Sequence, residues 1–411
     1  MAITNIRVSN FKSFKDLDLD LGRFNVVIGA NASGKSNFVE IFRFLKTLER
    51  EELADAISLH GGSDAVANRR LGCAHPLRMS TTSDQPMSWA GLLGSLQSHE
   101  NTYDFSLRLA SPPRNGLLIE GDRLTQRFRL PGSDRSAEVT LSVFASEGKP
   151  RVDIHPPDIL DQGESCFAAS GDYLMTLKPL VESRSLGTSL LIRHGFFRLV
   201  GPSENLFSGV AIFDIDPRAI KRPHETAGIP RLEENGENLS LVLKQILADP
   251  ERSRKLHNLL QYMLPFAKEV GVEQYLGVSL LLKLREEYYD DSLLADLLSD
   301  GTVDVVALII ALFFEDNDVV IIEEPERNLH PHLISGLMRL MEDASTNKQV
   351  IITTHSSEIV KHAGVENLLL ISRDKDGFSA VSRPAEKQDV KVFLENDLGL
   401  DTVFVQELWG R

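Results

Sequence analysis

The run Gly29-Ala30-Asn31-Ala32-Ser33-Gly34-Lys35-Ser36 constrains this chain more than any other feature. It fits the pattern Gly-x4-Gly-Lys-Ser/Thr. Its glycines let successive backbone N–H groups turn inward, and a helix starting at Lys35 adds the positive end of its dipole. The loop is therefore built to cradle phosphate. Its surroundings agree: Phe24–Ile28 is a short apolar run, and residues 35 to about 48 carry helical spacing. In such a strand–loop–helix unit Lys35 bridges the outer phosphates of a nucleotide, and the Ser36 hydroxyl ligates Mg2+.

A second element lies almost 300 residues further on. Val319-Val320-Ile321-Ile322 reads as a buried central strand that ends in Glu323-Glu324-Pro325-Glu326. Such a strand delivers its carboxylates to the carboxyl edge of the sheet, where open α/β folds bind ligands. Successive side chains on a strand point opposite ways, so the two acids are expected to have different tasks. Glu323 is expected to hold the Mg2+ shell, and Glu324 to orient and polarise the attacking water. Pro325 and Glu326–Pro331 form a turn into a helix over His332–Met341. His330 and His332 lack the companions a metal site needs and are read as loop packing.

Two weaker signals complete the set. Val350–Thr353 reads as another buried strand, running through Thr354 to His355, which can reach a γ-phosphate. Leu298-Ser299-Asp300-Gly301-Thr302 precedes a buried helix over Thr302–Phe314. Alone, Ser-Asp-Gly is simply a good helix start; its position shortly before the acidic strand gives it weight.

The intervening chain reads as an insertion. Leu17, Leu19 and Leu21 alternate with polar residues, after a strand at Ile3–Val8. Tyr103–Leu109, Gly116–Leu130 and Glu138–Ala145 read as an antiparallel meander. Asn238–Leu260 has helical spacing, and Val278–Leu284 reads as a strand. Leu368–Ile371 and Phe378–Val381 flank Asp374-Lys375-Asp376-Gly377 as a hairpin. No heptad array is visible, so no coiled-coil arm is expected.

Composition excludes several classes. Over 411 residues the net charge is −15, which argues against a large exposed DNA-binding surface. The two cysteines, Cys73 and Cys166, suggest neither a disulfide framework nor a zinc site. The N-terminus lacks the basic and apolar stretches of a signal peptide, and Val305–Phe314 is too short to span a bilayer. A cytoplasmic protein with no membrane partner is expected.

With these elements in order, the chain resembles the ABC-type ATPase superfamily in its SMC/RecF-like and OLD-like branch. It looks still more like the stand-alone AAA-type ATPases of bacteria related to OLD proteins. Asn10-Phe11-Lys12-Ser13-Phe14 is similar to the entry segment of that branch, and Gly29–Ser36 with Asn37 to its Walker A motif. Leu298–Thr302 resembles its signature motif, Ile322–Glu326 through Pro331 its Walker B and D-loop, and Thr354-His355-Ser356 its switch histidine. Pro217–Leu243, with Glu234-Asn235-Gly236-Glu237-Asn238-Leu239, and the tail from Leu398–Leu400 to Leu408–Gly410 also look like these ATPases.

The resemblance implies ATP with Mg2+ as ligands and hydrolysis of ATP as the reaction. It implies nucleotide contacts from Lys12, Gly29, Ala30, Asn31, Ala32, Ser33, Gly34, Lys35, Ser36 and Asn37. Ser36 and Glu323 would hold the metal, and Glu324, His355 and Lys35 would be catalytic. Two protomers would meet head to tail around ATP, with Ser299 and Gly301 acting on the nucleotide of the other chain. The implied fold is an α/β P-loop NTPase, an ABC-type head with a mixed sheet, an antiparallel β lobe and a helical lobe. As one domain over 1–411, its nucleotide core would join 1–50 to 300–411, with a β-rich lobe over 50–237 and a helical lobe over 238–300.

The sequence departs from the pattern in three places. Glu323 stands where the wider superfamily has Asp. Neither Gln85 nor Gln97 makes a convincing Q-loop residue. The Toprim nuclease domain of OLD proteins has no counterpart in the short segment after His355, so no nuclease activity is expected. The expected role is an ATP-driven switch for a separately encoded effector, such as a nuclease in a bacterial defence module. The alternative is a RecF-like, DNA-binding maintenance ATPase.

Overall fold

The structure, a computed structural model, describes residues 2–84, 88–91, 94–109, 117–129, 138–146, 149–155, 182, 189–194, 206–225, 228, 231–275 and 279–386. Gln85, Cys166 and the two tail segments named above lie outside these residues. In chain order the elements are β1 (Ile3–Phe11), β2 (Phe14–Asp20), β3 (Phe24–Ile28), α1 (Lys35–Arg50), α2 (Leu53–Leu59), α3 (Ser63–Val66), β4 (Leu77–Ser83), β5 (Ser88–Gly91), β6 (Gly94–Arg108), β7 (Leu118–Arg129), β8 (Glu138–Ser146) and β9 (Lys149–His155). There follow β10 (Val210–Phe213), α4 (Pro217–Ile220), β11 (His224–Glu225), α5 (Leu239–Ala248), α6 (Pro250–Met263), β12 (Ala267–Tyr275), β13 (Ser279–Glu286) and β14 (Leu293–Leu294). The last are α7 (Asp300–Phe313), β15 (Val319–Glu323), α8 (Pro331–Ser345), β16 (Gln349–Thr354), α9 (Ser357–His362), β17 (Leu368–Arg373) and β18 (Ser379–Ser382).

The chain clusters into two compact units. One comprises Met1–Gly22, Asn37–Gly209 and Ser372–Val381; the other comprises Arg23–Ser36, Val210–Ile371 and Ser382–Arg411. The first is built on an antiparallel sheet in the order β2-β1-β4-β6-β7-β8-β9, with β5 paired to β6. The expected meander is present here, extended by β9. Val8 lies opposite Leu17, and the buried leucines of β2 alternate with exposed aspartates. Residues 3–20 thus supply two strands of this sheet. Asp374 accepts hydrogen bonds through Oδ1 from the N–H groups of Asp376 and Phe378, each at 2.9 Å. The Asp374–Gly377 segment is thus a hairpin turn.

The second unit holds a parallel sheet in the order β10-β15-β16-β3-β17. Every residue of β3 and β16 is buried, as are the first four of β15. Such double-sided burial explains why these strands read as continuous β-branched runs. The helix α7 is buried nearly all round, from Thr302 to Leu312. Each large aliphatic side chain so buried contributes about 1.5–3 kcal/mol of hydrophobic stabilisation.

Residues 238–300 differ from a purely helical lobe. Asp249 ends α5, and its side chain accepts hydrogen bonds from the N–H groups of Glu251 and Arg252 to start α6, with Pro250 in the first turn. Beyond α6 the chain turns to sheet, β12 pairing antiparallel with β13. Its register sets Val270 opposite Leu284 and Val272 opposite Leu282.

Candidate nucleotide site

Three neighbouring strands of the second unit bring the motifs together. In the parallel register Glu323 pairs with Thr353, Thr353 with Val27 and Thr354 with Ile28. The strand ends are therefore level. The loop after β3, the acids after β15 and the histidine after β16 leave the sheet along one carboxyl edge.

The loop keeps the geometry its sequence demands. Ser33 N–H donates to the Ala30 carbonyl at 3.1 Å, and Ala32 has φ 63°. A Cβ on Gly29 would fall 2.4 Å from the Ile371 carbonyl oxygen, so only glycine fits. Lys35 folds back over the loop and donates to the carbonyls of Gly29 at 2.8 Å and Ala30 at 3.3 Å. Burial lowers the pKa of its ammonium, opposed by the nearby carboxylates of Glu324 and Glu326. Ser36 is exposed in the first turn of α1, with Asn37 beside it.

Glu324 sits at a backbone corner with φ 46°, its N–H bonded to the Thr353 carbonyl at 2.8 Å. Its Oε1 lies 3.1 Å from Nδ1 of His355, and its Oε2 accepts from Arg327 at 3.3 Å. Burial pushes this carboxyl up, but His355 and Arg327 outweigh it and hold it below the usual carboxylate range. Glu324 and Asn328, like Ala32, are non-glycine residues with positive φ. Such backbone strain costs about 1–3 kcal/mol per residue and clusters at functional sites.

Glu326 belongs to the acidic motif but was given no site role from the sequence. One oxygen accepts from the Thr354 hydroxyl, and the other, Oε2, is buried with no hydrogen-bond partner. Burial pushes its carboxyl up. The third carboxylate of Glu-Glu-Pro-Glu was a usable signal. Arg327 gave none: its second partner is Asp214 at 3.0 Å, 113 residues away.

The signature segment has work within its own chain. The Ser299 hydroxyl caps α7, accepting from Thr302 N–H at 3.1 Å, and the Ser299 residue is exposed. A Cβ on Gly301 would meet the Asn328 carbonyl oxygen at 2.6 Å, so this glycine lets α7 approach the turn after Glu324. Lys12, in the other unit, is bonded to Glu40 at 3.1 Å. The Glu40 carboxyl is held down to about 2, first by His60 and then by Lys12 and Arg43. Among the described residues, His224, Glu233 and Glu237 group closely enough to hold a metal ion, and none of them was a sequence candidate.

Parts of this chain are similar to known proteins. Residues 1–73 match the family described as "AAA ATPase domain", and residues 178–361 match "AAA domain, putative AbiEii toxin, Type IV TA system". An uncharacterized protein of Methanocaldococcus jannaschii is 25% identical over 95 residues, which is 22% of this chain and 25% of that protein. The chromosome partition protein Smc of the same organism is 36% identical over 72 residues, 16% of this chain and 6% of Smc. The chain thus spans a quarter or less of the length of these curated relatives. Similar solved structures include the SmcHead bound to the C-winged helix domain of ScpA, at 14% identity and TM-score 0.47, covering 93% of this chain and 98% of that one. Another is the SMC head domain from Thermotoga maritima, at 13% identity and TM-score 0.44, covering 93% and 99%. The fold is an α/β P-loop fold, and two stretches of the chain are similar to AAA-type ATPase domains.

Proposed function

We propose that this chain is a cytoplasmic, ATP-hydrolysing switch that works as a homodimer. The observation behind the reading is the convergence of a phosphate loop, Glu324, Glu326 and His355 at one edge of three adjacent parallel strands. ATP is the substrate. The N–H groups of Gly29–Gly34 hold its phosphates, and Lys35 exchanges two backbone carbonyls for phosphate oxygens. Ser36 and Glu323 would hold Mg2+, and the unpartnered buried Oε2 of Glu326 fits a site that takes up a cation or its water shell. When bound, that ion neutralises charge developing on the phosphates.

Glu324, kept ionised beside His355 and Arg327, takes the proton of the attacking water. His355 orients Glu324 through Nδ1, leaving Nε2 to meet the γ-phosphate. The exposed Ser299 and the half-buried Gly301 act on nucleotide held by a second chain, so ATP closes the dimer and hydrolysis reopens it. The output is control of a separately encoded effector, such as a nuclease in a defence module. The acidic net charge of −15 and a family description naming a toxin–antitoxin system favour this reading. A RecF-like role on DNA is the second reading, favoured by the match to Smc. Salt-dependent DNA binding with and without ATP separates the two.

Glu324→Gln is the test of the chemistry. ATP binding should persist while phosphate release falls about 10²–10⁴-fold, the usual cost of losing a general base. Phosphate release at the wild-type rate would move the role to another carboxylate, with Glu326 next in line.

A further inference from the structure

The turn that carries Glu324 also carries a device to hold it. Pro325 follows Glu324, and Arg327 N–H closes the turn on the Glu324 carbonyl at 3.0 Å. This returns the Arg327 side chain to the carboxylate it follows by three residues. One guanidinium nitrogen donates to Glu324 at 3.3 Å and another to Asp214 at 3.0 Å. Asp214 directly follows β10, whose last residue, Phe213, lies in register with Ile322 of β15. Its own N–H is bonded to the Glu234 carbonyl at 2.9 Å. The guanidinium therefore spans from a strand end fixed in the sheet to the carboxylate proposed as general base.

We propose that Arg327, anchored by Asp214, is a positioning residue that fixes the Glu324 carboxylate for attack by water. This rests on the hydrolysis reading given above. Without Arg327, one Glu324 oxygen keeps His355 and the other loses the guanidinium, so the carboxylate can swing about its terminal bond. Small misplacements of a catalytic group cost large factors in rate. A planar fork is suited to this task because it meets two carboxylates at once, which a lysine ammonium on a flexible stem cannot do as well. Stability is a poor explanation for the pair, since Arg327 and Asp214 are nearly half exposed and exposed ion pairs stabilise little.

Steady-state ATPase kinetics of the wild type, Glu324→Gln, Arg327→Ala, Arg327→Lys, Asp214→Ala and the Asp214→Ala/Arg327→Ala double variant test this. Arg327→Ala should lower kcat about 10- to 100-fold with KM for ATP within about twofold, the split expected of an interaction made in the transition state. Arg327→Lys should recover only part of that loss. Asp214→Ala should lose less than Arg327→Ala, and the double variant no more than Arg327→Ala alone, because Asp214 acts through Arg327. Thermal unfolding of each variant reports folding; if Arg327→Ala does not fold, Arg327→Lys and Asp214→Asn carry the same comparison. Wild-type kcat in Arg327→Ala beside an inactive Glu324→Gln would overturn this inference and leave the hydrolysis reading standing. So would multiplicative losses in the double variant, or a raised KM at unchanged kcat. A wild type without turnover overturns the hydrolysis reading and this inference with it, whereas a fully active Glu324→Gln moves the base to another carboxylate and overturns this inference alone.

Discussion

Asp304 offers a quantitative test of how the signature helix is locked to the turn after Glu324. It lies in the second turn of α7, buried, and its Oδ2 accepts from the Asn328 side chain at 2.9 Å. Its Oδ1 is buried with no hydrogen-bond partner. Burial is the main reason its carboxyl is pushed up from 3.8 to about 7; Asn328 opposes the rise and Asp300 adds to it. Between those two values the native chain holds a proton that the unfolded chain has released, so stability falls as pH rises. The gap of about three units corresponds to about 4 kcal/mol, fully lost above pH 7. Asp304→Asn cannot ionise and keeps an oxygen for Asn328, but it places an unsatisfied N–H at Oδ1, at a cost of about 1–3 kcal/mol. Urea unfolding at pH 6 and pH 8 reads the balance. From pH 6 to pH 8 the variant-minus-wild-type stability should move in the variant's favour by about 1.4 kcal/mol, the part of the titration lying above pH 6. Glu49 and Asp122 are also pushed up to about 7, so wild-type stability alone would mix three groups; the difference isolates one. A difference independent of pH would refute the reasoning and mean that Asp304 titrates alike in both states.

Lys35→Ala should abolish tight ATP binding and leave the fold intact, as equilibrium binding of a labelled ATP analogue and thermal unfolding would report. Lys35→Ala and Ser299→Arg, each inactive alone, should recover activity on mixing if sites are shared between chains, because a mixed dimer has one site carrying both lesions and one carrying neither. With free exchange roughly a quarter of all sites would be intact, and confirmed heterodimers without activity would leave Ser299 as a helix cap. Gly301→Ala should destabilise the protein by about 1–3 kcal/mol, since the new Cβ would meet backbone at 2.6 Å; an unchanged urea midpoint would show that α7 can move away freely.

The local sequence determined the pieces. The glycine loop, the buried strands with their acidic and histidine ends, and the capped α7 each follow from residue order over a few positions, where backbone sterics, hydrogen-bonding caps and hydrophobic period act. Residues 238–300 show the limit of that reading. The helical spacing was legible as far as Leu260, while β12 was not, because its strand is defined only by pairing with β13. The sheet order decided which ends meet: β16 lies between β3 and β15, and this places His355 against Glu324. Nothing in sequence spacing foretold that Arg327 would reach Asp214, that Lys12 would be taken up by Glu40, or that one oxygen each of Glu326 and Asp304 would be buried without a partner. Those outcomes depend on contacts between residues remote in sequence, whose partners and solvent exposure are set only when the layers close.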